Sequence, residues 1–434
     1  MDLLYSNDTR GQHPDSWYAA TANTLPNFEE LKGSAKADVC VIGAGFTGLS
    51  AALHLAESGL DVILLDAHRV GFGASGRNGG QLGSGQRQDQ DALEKMVGRD
   101  DARHLWRLGE EAKALVKDLI TRHEIDCQLR PGVAWTGSNP AEVGHLHHYA
   151  EKMQTQYGYD QIRPLSEQAC FEICPSPAYK GGLLDMGAAH LHPLNLCLGL
   201  AKAAAKAGAR IFENTHVRHL KTGAPNIVST DRGDVEAKHV ILACNGYLGG
   251  LNRNVAARVM PINNYVAATE PLGSDATRVL TRDIAIADSK FVVNYFRLSH
   301  DGRLLFGGGE SYGYRFPQDI AAKVRKPMLE IFPHLKGVRI DYAWGGTLAI
   351  TMKRLPYLAR VGETVLSASG YSGHGVGTAT HAGMLMARAT QGQTEGFNTM
   401  ARIPTVPFPG GSALRTPLLS LAMTWYALRD RLGF

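Results

Sequence analysis

No apolar run in this 434-residue chain approaches the roughly 20 residues that a membrane helix requires, so no membrane span is expected. Charge of one sign is equally scarce. The 45 Lys and Arg face 41 Asp and Glu, a net +4 with no basic block, which argues against a nucleic-acid partner. Cysteines number six, and only Cys170 and Cys174 are close in sequence. Without a second pair or a His pair they complete neither a zinc set nor a disulfide framework. Two His-rich spots, His145-x-His147-His148 and His190-x-His192, read as a solvated helix face and a helix start before Pro193, so no metal is expected. The N-terminal stretch MDLLYSNDTRGQHPDSWYAA is polar and lacks the order of a secretion signal. A cytoplasmic location with reduced thiols is the expectation.

What the chain has in excess is glycine, 49 residues, where an average composition of about 7% gives roughly 30. The surplus is not periodic, and 44% hydrophobic residues exclude a disordered chain. Its first cluster lies in a β-α-β pattern. Residues 37–42 (ADVCVI) read as a buried strand, Gly43-x-Gly45-x-x-Gly48 as a tight turn, and Leu49, Ala52, Leu53 and Ala56 as one face of a helix. Residues 61–65 (DVILL) form the second strand, ending at Asp66. In this context Gly43 permits the turn, Gly45 lets the backbone approach a pyrophosphate, and Gly48 lets helix and strand pack closely. Asp66 is placed for adenosine ribose hydroxyls, and an acid there disfavours the 2′-phosphate of NADP.

Two further glycine loops follow. Residues 71–85 contain Ala74-Ser75-Gly76-Arg77-Asn78-Gly79-Gly80, whose Arg and Asn donors suit phosphate and pyrimidine oxygens. Residues 369–375 read Ser-Gly-Tyr-Ser-Gly-His-Gly directly before a helix, whose N-terminus favours negative charge on a reduced flavin. His374 is either a further donor there or a turn residue between glycines. Segments 43–48, 71–85 and 370–377 hold 14 of the 49 glycines. Loops so far apart are simplest to explain if they converge on one large cofactor.

Between these α/β pieces, residues 261–309 alternate apolar and polar in runs that read as antiparallel strands. The fold class is therefore α/β plus antiparallel β: a Rossmann-like cofactor-binding domain interleaved with a substrate domain built on an antiparallel sheet. The expected division places 1–90, 190–250 and 340–434 in the former, 91–189 and 251–339 in the latter. On the strand read at 292–298, Arg297 is a candidate for pairing a substrate carboxylate or is an ordinary sheet-surface Arg, and Tyr295 shares its face. Trp344 and Tyr371 are candidate pocket residues.

Several motifs carry a family resemblance: Trp17-Tyr-Ala-Ala-Thr-Ala-Asn23, Val41-Ile-Gly-Ala-Gly-Phe-Thr-Gly-Leu-Ser50, Gly71-Phe-Gly-Ala-Ser-Gly-Arg-Asn-Gly-Gly-Gln81, His192-Pro-Leu-Asn195, Tyr295-Phe-Arg-Leu298, Gly370-Tyr-Ser-Gly-His-Gly375, Phe408-Pro-Gly-Gly411 and Tyr426-Ala-Leu-Arg-Asp-Arg-Leu-Gly433. Through them the chain resembles, nearly end to end, the FAD-dependent amine oxidase superfamily of D-amino-acid oxidase, sarcosine oxidase and glycine oxidase type. This is a glutathione-reductase-type flavoprotein fold. Within the superfamily it is most similar to the γ-glutamylputrescine oxidoreductases.

The resemblance implies FAD held by Gly43, Ala44, Gly45, Phe46, Thr47 and Gly48, by Asp66 and Ala67, and by Gly73, Ala74, Ser75, Gly76, Arg77, Asn78, Gly79, Gly80 and Gln81. It adds the Val217 backbone at the adenine, Asn245 with Gly246, Gly346, and Gly370, Tyr371, Ser372, Gly373, His374 and Gly375. His374, Arg297 and Tyr295 are the catalytic candidates. Sarcosine oxidases tether flavin to a Cys before the C-terminal glycine loop, but residues 245–434 contain none, so noncovalent FAD is expected. Lys290 is either the superfamily's oxygen-activating Lys or a solvated one. The implied reaction is amine oxidation to an imine that hydrolyses to an aldehyde or keto acid, with O2 or another electron acceptor. The leading substrate is a γ-glutamylated polyamine. The alternatives are a secondary or cyclic amino acid (sarcosine, an N-methyl amino acid, L-pipecolate) and a noncatalytic FAD-binding subunit.

Overall fold

Strand Ala35–Ile42 lies at the middle of a parallel sheet, which is why its second half is apolar on both faces. The computed structural model describes residues 2–290, 292–311 and 313–410. Val62–Leu65 runs parallel on one side of that strand and Asp234–Leu242 on the other. Arg210–Phe212 extends the sheet beyond Val62–Leu65. Val365–Ser369 and then Tyr357–Gly362 extend it beyond Asp234–Leu242. A hairpin, Val217–Lys221 with Asn226–Thr230, is attached to Asp234–Leu242.

Helices Phe46–Glu57, Pro193–Lys206 and Gly375–Thr390 cover one face, and their Leu, Ala and Met side chains form the largest core cluster. The first and third pack unusually closely. A Cβ on Gly383 would overlap the Thr47 carbonyl oxygen, so that crossing requires glycine.

The second sheet runs, in spatial order, Ile340–Ile350, Met260–Pro271, Arg303–Ser311, Tyr295–Leu298, Ala285–Asp288, Arg130–Gly137, Gly181–His190 and Gln81–Leu82, with Ile162–Leu165 paired to Gly181–His190. Its pairs are antiparallel except Ala285–Asp288 with Arg130–Gly137. The strand expected at 292–298 is shorter, Tyr295–Leu298. Strand Ile340–Ile350 hydrogen-bonds along Met260–Pro271, so this sheet continues through residue 350, past the expected boundary at 340. The chain crosses between sheets repeatedly, and the second glycine loop, between Val62–Leu65 and Gln81–Leu82, lies at one such crossing. The 411–434 part of the expected cofactor domain, with Gly411 and the Tyr426 to Gly433 motif, lies outside the described residues.

Candidate cofactor and substrate site

The first glycine turn is built by close backbone approach. Gly43 sits at φ +107°, and a Cβ there would lie 2.8 Å from the Ala243 carbonyl oxygen. A Cβ on Gly48 would overlap the Gly43 carbonyl oxygen. Gly45 is the N-cap of helix Phe46–Glu57 and brings no side-chain cap; Phe46 N donates instead to Ser75 Oγ at 3.0 Å. The first-turn amides thus face a cavity with the positive end of the helix dipole.

Asp66 accepts from Ala44 N through Oδ2 (2.7 Å) and from His68 N through Oδ1 (2.8 Å). Burial raises its pKa to about 6, against the pull of those two amides. Each carboxylate oxygen keeps a second lone pair, so Asp66 braces the glycine turn and still presents acceptors to the cavity it lines.

Two adjoining cavities lie against these loops. One of about 740 Å3 is lined by Gly43, Asp66, Ala67, Gly73, Val217 and Gly246, among others. The other, about 220 Å3, takes Phe46, Thr47, Asn78, Gly79, Gln81, Tyr295, Gly346, Tyr371, Ser372, Gly373, His374 and Gly375 into its wall. Both share Gly45, Ala74, Ser75 and Asn245, and so form two ends of one slot. A slot of backbone amides and side-chain-free positions, capped by a helix N-terminus and an acid, fits an extended dinucleotide such as FAD. Of the expected cofactor residues, Ala44, Gly48, Gly76, Gly80 and Gly370 do not line it. They make the turns that bring their neighbours to it, as Gly80 (φ +75°) and Gly370 (φ +77°) show.

The second loop corrects an expectation. Arg77 lines the narrow cavity, but most of its guanidinium is engaged within the protein, and only Nη2 has no partner among the described residues. Nη1 donates to Asp8 at 3.0 Å and to the Gly345 carbonyl at 3.0 Å, Nε donates to the Phe72 carbonyl at 2.6 Å, and the side chain is buried. Asn78 likewise turns inward: its amide donates to Ala74 O and Ser75 O, and its carbonyl accepts from Gly80 N. The polar side chains of this loop hold its shape, while its backbone and Ser75 face the slot.

In the third loop Asn245 Oδ1 accepts from Gly370 N (3.0 Å), and Tyr371 OH pairs with Thr47 Oγ1 (2.7 Å), tying the first and third loops together. Burial, with help from Arg87 and Lys113, holds His374 at a pKa of about 4. Its Nε2 lies 3.2 Å from the Gly85 carbonyl, which can only accept, so the ring is a neutral Nε2–H tautomer with that proton engaged. The expected donor role of His374 therefore falls to the loop and helix amides beside it, while its Nδ1 remains an acceptor.

Three further expectations change. Arg297 is buried, and its guanidinium donates to Gly79 O (3.2 Å) and Leu191 O (2.9 Å), so the Gly79–Gly80 turn separates it from the cavity. The period-2 reading placed it correctly beside Tyr295, but Tyr295 alone reaches the cavity, donating to Asn264 Oδ1. Trp344 is fully buried behind Arg77, with Nε1 donating to the Arg77 carbonyl at 3.0 Å, and lines neither of these two cavities. Lys290 is exposed and is not part of the wall. Among the described residues no three His, Cys, Asp or Glu converge as metal ligands, and no helix is long and apolar enough to cross a membrane.

The wall also contains charged residues that pattern reading missed: Arg87, Arg354 and Glu310. Arg87 lies two positions past the end of the second loop. Glu310 closes the run RLLFGGGE, and Arg354 stands in the turn after Ile340–Ile350. None has a motif. The glycine loop and the strand ends beside them were the available signal.

The family model "FAD dependent oxidoreductase" (DAO) matches residues 38–389. Gamma-glutamylputrescine oxidoreductase of Escherichia coli (strain K12) is 42% identical, the match covering 97% of this chain and 99% of that protein. A probable oxidoreductase, OrdL, of Rhizobium meliloti (strain 1021) is also 42% identical, over 96% of this chain and 97% of its own length. Among solved structures, glycine oxidase from Geobacillus kaustophilus superposes with a TM-score of 0.69 at 21% identity, covering 83% of this chain and 95% of that one.

Proposed function

The chain belongs to the FAD-dependent oxidoreductase (DAO) family and acts on an amine, and on that premise we propose that its substrate is a γ-glutamylated polyamine of the γ-glutamylputrescine type. Likeness to the Escherichia coli γ-glutamylputrescine oxidoreductase along almost the whole of both chains carries this reading. FAD supplies the two-electron acceptor for the C–N bond. Everything else falls to the protein.

The glycine turn, the first-turn amides and Asp66 hold the dinucleotide along the slot. Cys244 lines the wide end, but burial pushes its thiol up to about 12, so it offers no thiolate for a covalent link. We therefore place FAD noncovalently. At the narrow end Val133, Trp135, Ala287, Val293, Leu348 and Ile350 make an apolar wall that excludes water and favours the neutral, reactive amine over its ammonium form. Loss of two electrons and two protons from the CH–NH2 unit leaves an imine, which water converts to an aldehyde and ammonia. No obligatory general base is needed once the amine binds neutral; His374, neutral and with its one proton engaged, offers only its Nδ1 lone pair as an acceptor.

For a secondary or cyclic amino acid, the carboxylate partner read from the strand pattern, Arg297, is sealed behind Gly79, and whole-chain likeness favours the polyamine conjugate.

The test is anaerobic mixing of the FAD-loaded protein with γ-glutamylputrescine, putrescine, sarcosine and L-pipecolate. Bleaching of the visible flavin band by γ-glutamylputrescine at the lowest concentration supports the reading. Bleaching by sarcosine or L-pipecolate instead overturns the substrate, and no bleaching by any of them overturns the enzyme. Peroxide formed on readmitting air would identify O2 as the acceptor.

A further inference from the structure

Most of the narrow cavity is apolar or neutral, yet besides Arg77, which is paired with Asp8, its wall carries the charged side chains Arg87, Arg354 and Glu310. They arrive from three distant segments, and two observations show that the arrangement is held in place. Arg87 Nε donates to the Ser372 carbonyl at 3.2 Å, and the next residue, Gln88, donates through Nε2 to the Lys353 carbonyl at 2.9 Å, fixing the Arg87 segment against the Arg354 turn. Arg354 itself has φ +55° and Ser372 φ +53°, left-handed conformations that non-glycine residues rarely adopt. Both arginine anchor points thus sit on strained turns, a pattern that clusters at ligand sites. Glu310 lies opposite Asn264 in the adjoining strand pair, and Asn264 also receives the Tyr295 hydroxyl.

Two guanidiniums and one carboxylate in a confined, partly dry space form a matched pattern for a zwitterion. A carboxylate is drawn to the arginines, and an ammonium is drawn to the glutamate. Burial and the field of Arg354 lower the Arg87 pKa to about 10 while Glu310 raises it, so Arg87 lies within the field of both other groups. The γ-glutamyl end of the substrate class proposed above carries just this pair, an α-carboxylate and an α-ammonium on one carbon, at the opposite end from the reacting amine.

We propose that Arg87 and Arg354 bind the α-carboxylate, and Glu310 the α-ammonium, of the γ-glutamyl head group, making this triad the determinant of conjugated over free polyamine. The inference rests on the proposed substrate. It also explains how a cavity without an exposed Arg297 still recognises a carboxylate: the carboxylate is read far from the reacting carbon.

The test compares the FAD-loaded wild type with Arg87→Gln, Arg87→Lys, Arg354→Gln and Glu310→Gln on two substrates, γ-glutamylputrescine and N-acetylputrescine. The second keeps the amide and the reacting amine but lacks the charged head. The ratio of kcat/KM values, conjugate over acetyl, is expected to fall roughly 10- to 100-fold in each Gln variant, with Arg87→Lys intermediate. Calorimetric binding of γ-glutamyl-n-butylamide, which has the head but no reacting amine, should weaken by a similar factor. Equal losses on both substrates, or unchanged binding of the butylamide, overturn the head-group assignment and leave the substrate reading standing. Failure of wild-type flavin to bleach with γ-glutamylputrescine overturns both. Retained FAD absorbance in the Lys variant separates loss of recognition from loss of fold.

Discussion

Asp8 and Arg77 form a buried ion pair, Nη1 to Oδ1 at 3.0 Å, with side chains only 7% and 1% exposed. The same guanidinium holds the Phe72 and Gly345 carbonyls, so the N-terminal segment, the second glycine loop and the second sheet are fastened at one group. Removing one member of such a pair leaves an uncompensated buried charge at a cost of about 3–5 kcal/mol. Asp8→Ala should lower stability by that amount in urea denaturation and release FAD on gel filtration. A change below about 1 kcal/mol, with FAD retained, would contradict the role given to the pair.

Gly48 and Gly59 make opposite demands on a new methyl group. At Gly48 the Cβ would overlap a backbone oxygen that cannot move without opening the turn, whereas at Gly59 (φ +81°) nothing lies within 4 Å. Gly48→Ala should cost about 3 kcal/mol or more and abolish FAD binding. Gly59→Ala should cost only the roughly 1–2 kcal/mol of a left-handed alanine and leave FAD bound. Similar thermal midpoints and flavin contents for the two variants would count against the close approach.

Arg297 is predicted to act on the fold and not on the substrate. Arg297→Met leaves the Gly79 and Leu191 carbonyls without a donor and should destabilise the protein by about 2–4 kcal/mol. Its effect on KM should be the same for carboxylated and simple amines. A selective rise for carboxylated substrates would restore the direct role that the strand pattern suggested.

Stability should fall as pH drops from 7 to 5. Burial holds His13, His68 and His374 at pKa values of about 4, and His190 and His192 at about 3, below the ordinary 6.5. His68 shows the reason: Nδ1 accepts from Gly11 N and Nε2 donates to Leu4 O, an arrangement only the neutral ring can make. The unfolded chain therefore binds more protons than the fold between pH 6.5 and about 4. The histidines' contribution is complete above 6.5 and declines below it, by up to roughly 1.4 kcal/mol per pH unit for each. Asp66 and Asp288, raised to about 6 by burial, act in the opposite sense between 6 and 3.8 but are outnumbered. Unchanged midpoints in calorimetry between pH 7 and 5 would sink this prediction.

What could be read from the residues divides along the backbone. The strand-turn-helix of 37–57, the strand at 61–65 and the glycine loops were legible because periodicity and positive-φ demands are local. The second sheet's continuation through Ile340–Ile350 was not, since a strand's partner is a long-range fact. Side-chain direction was the harder part. Arg77 looked like a ligand donor because it lies among glycines, and Arg297 because it shares a strand face with Tyr295. Their carbonyl and carboxylate partners, Gly345, Asp8 and Leu191, come from elsewhere in the chain. Arg87, Arg354 and Glu310 were overlooked for the converse reason: each is unremarkable locally, and only the fold brings the three together.

The order of strands also bears on how the protein is made. Strand Ala35–Ile42 pairs with Val62–Leu65 at once, but its other partner, Asp234–Leu242, leaves the ribosome roughly 10–30 s later at ordinary elongation rates. Until then a hydrophobic strand edge stands open, which is a liability in any crowded solution. The third glycine loop, and with it the far wall of the slot, emerges later still, after Val365–Ser369 has joined the sheet. Cofactor capture is therefore a closing event of biosynthesis, and the nascent chain must be kept from aggregating by something other than FAD.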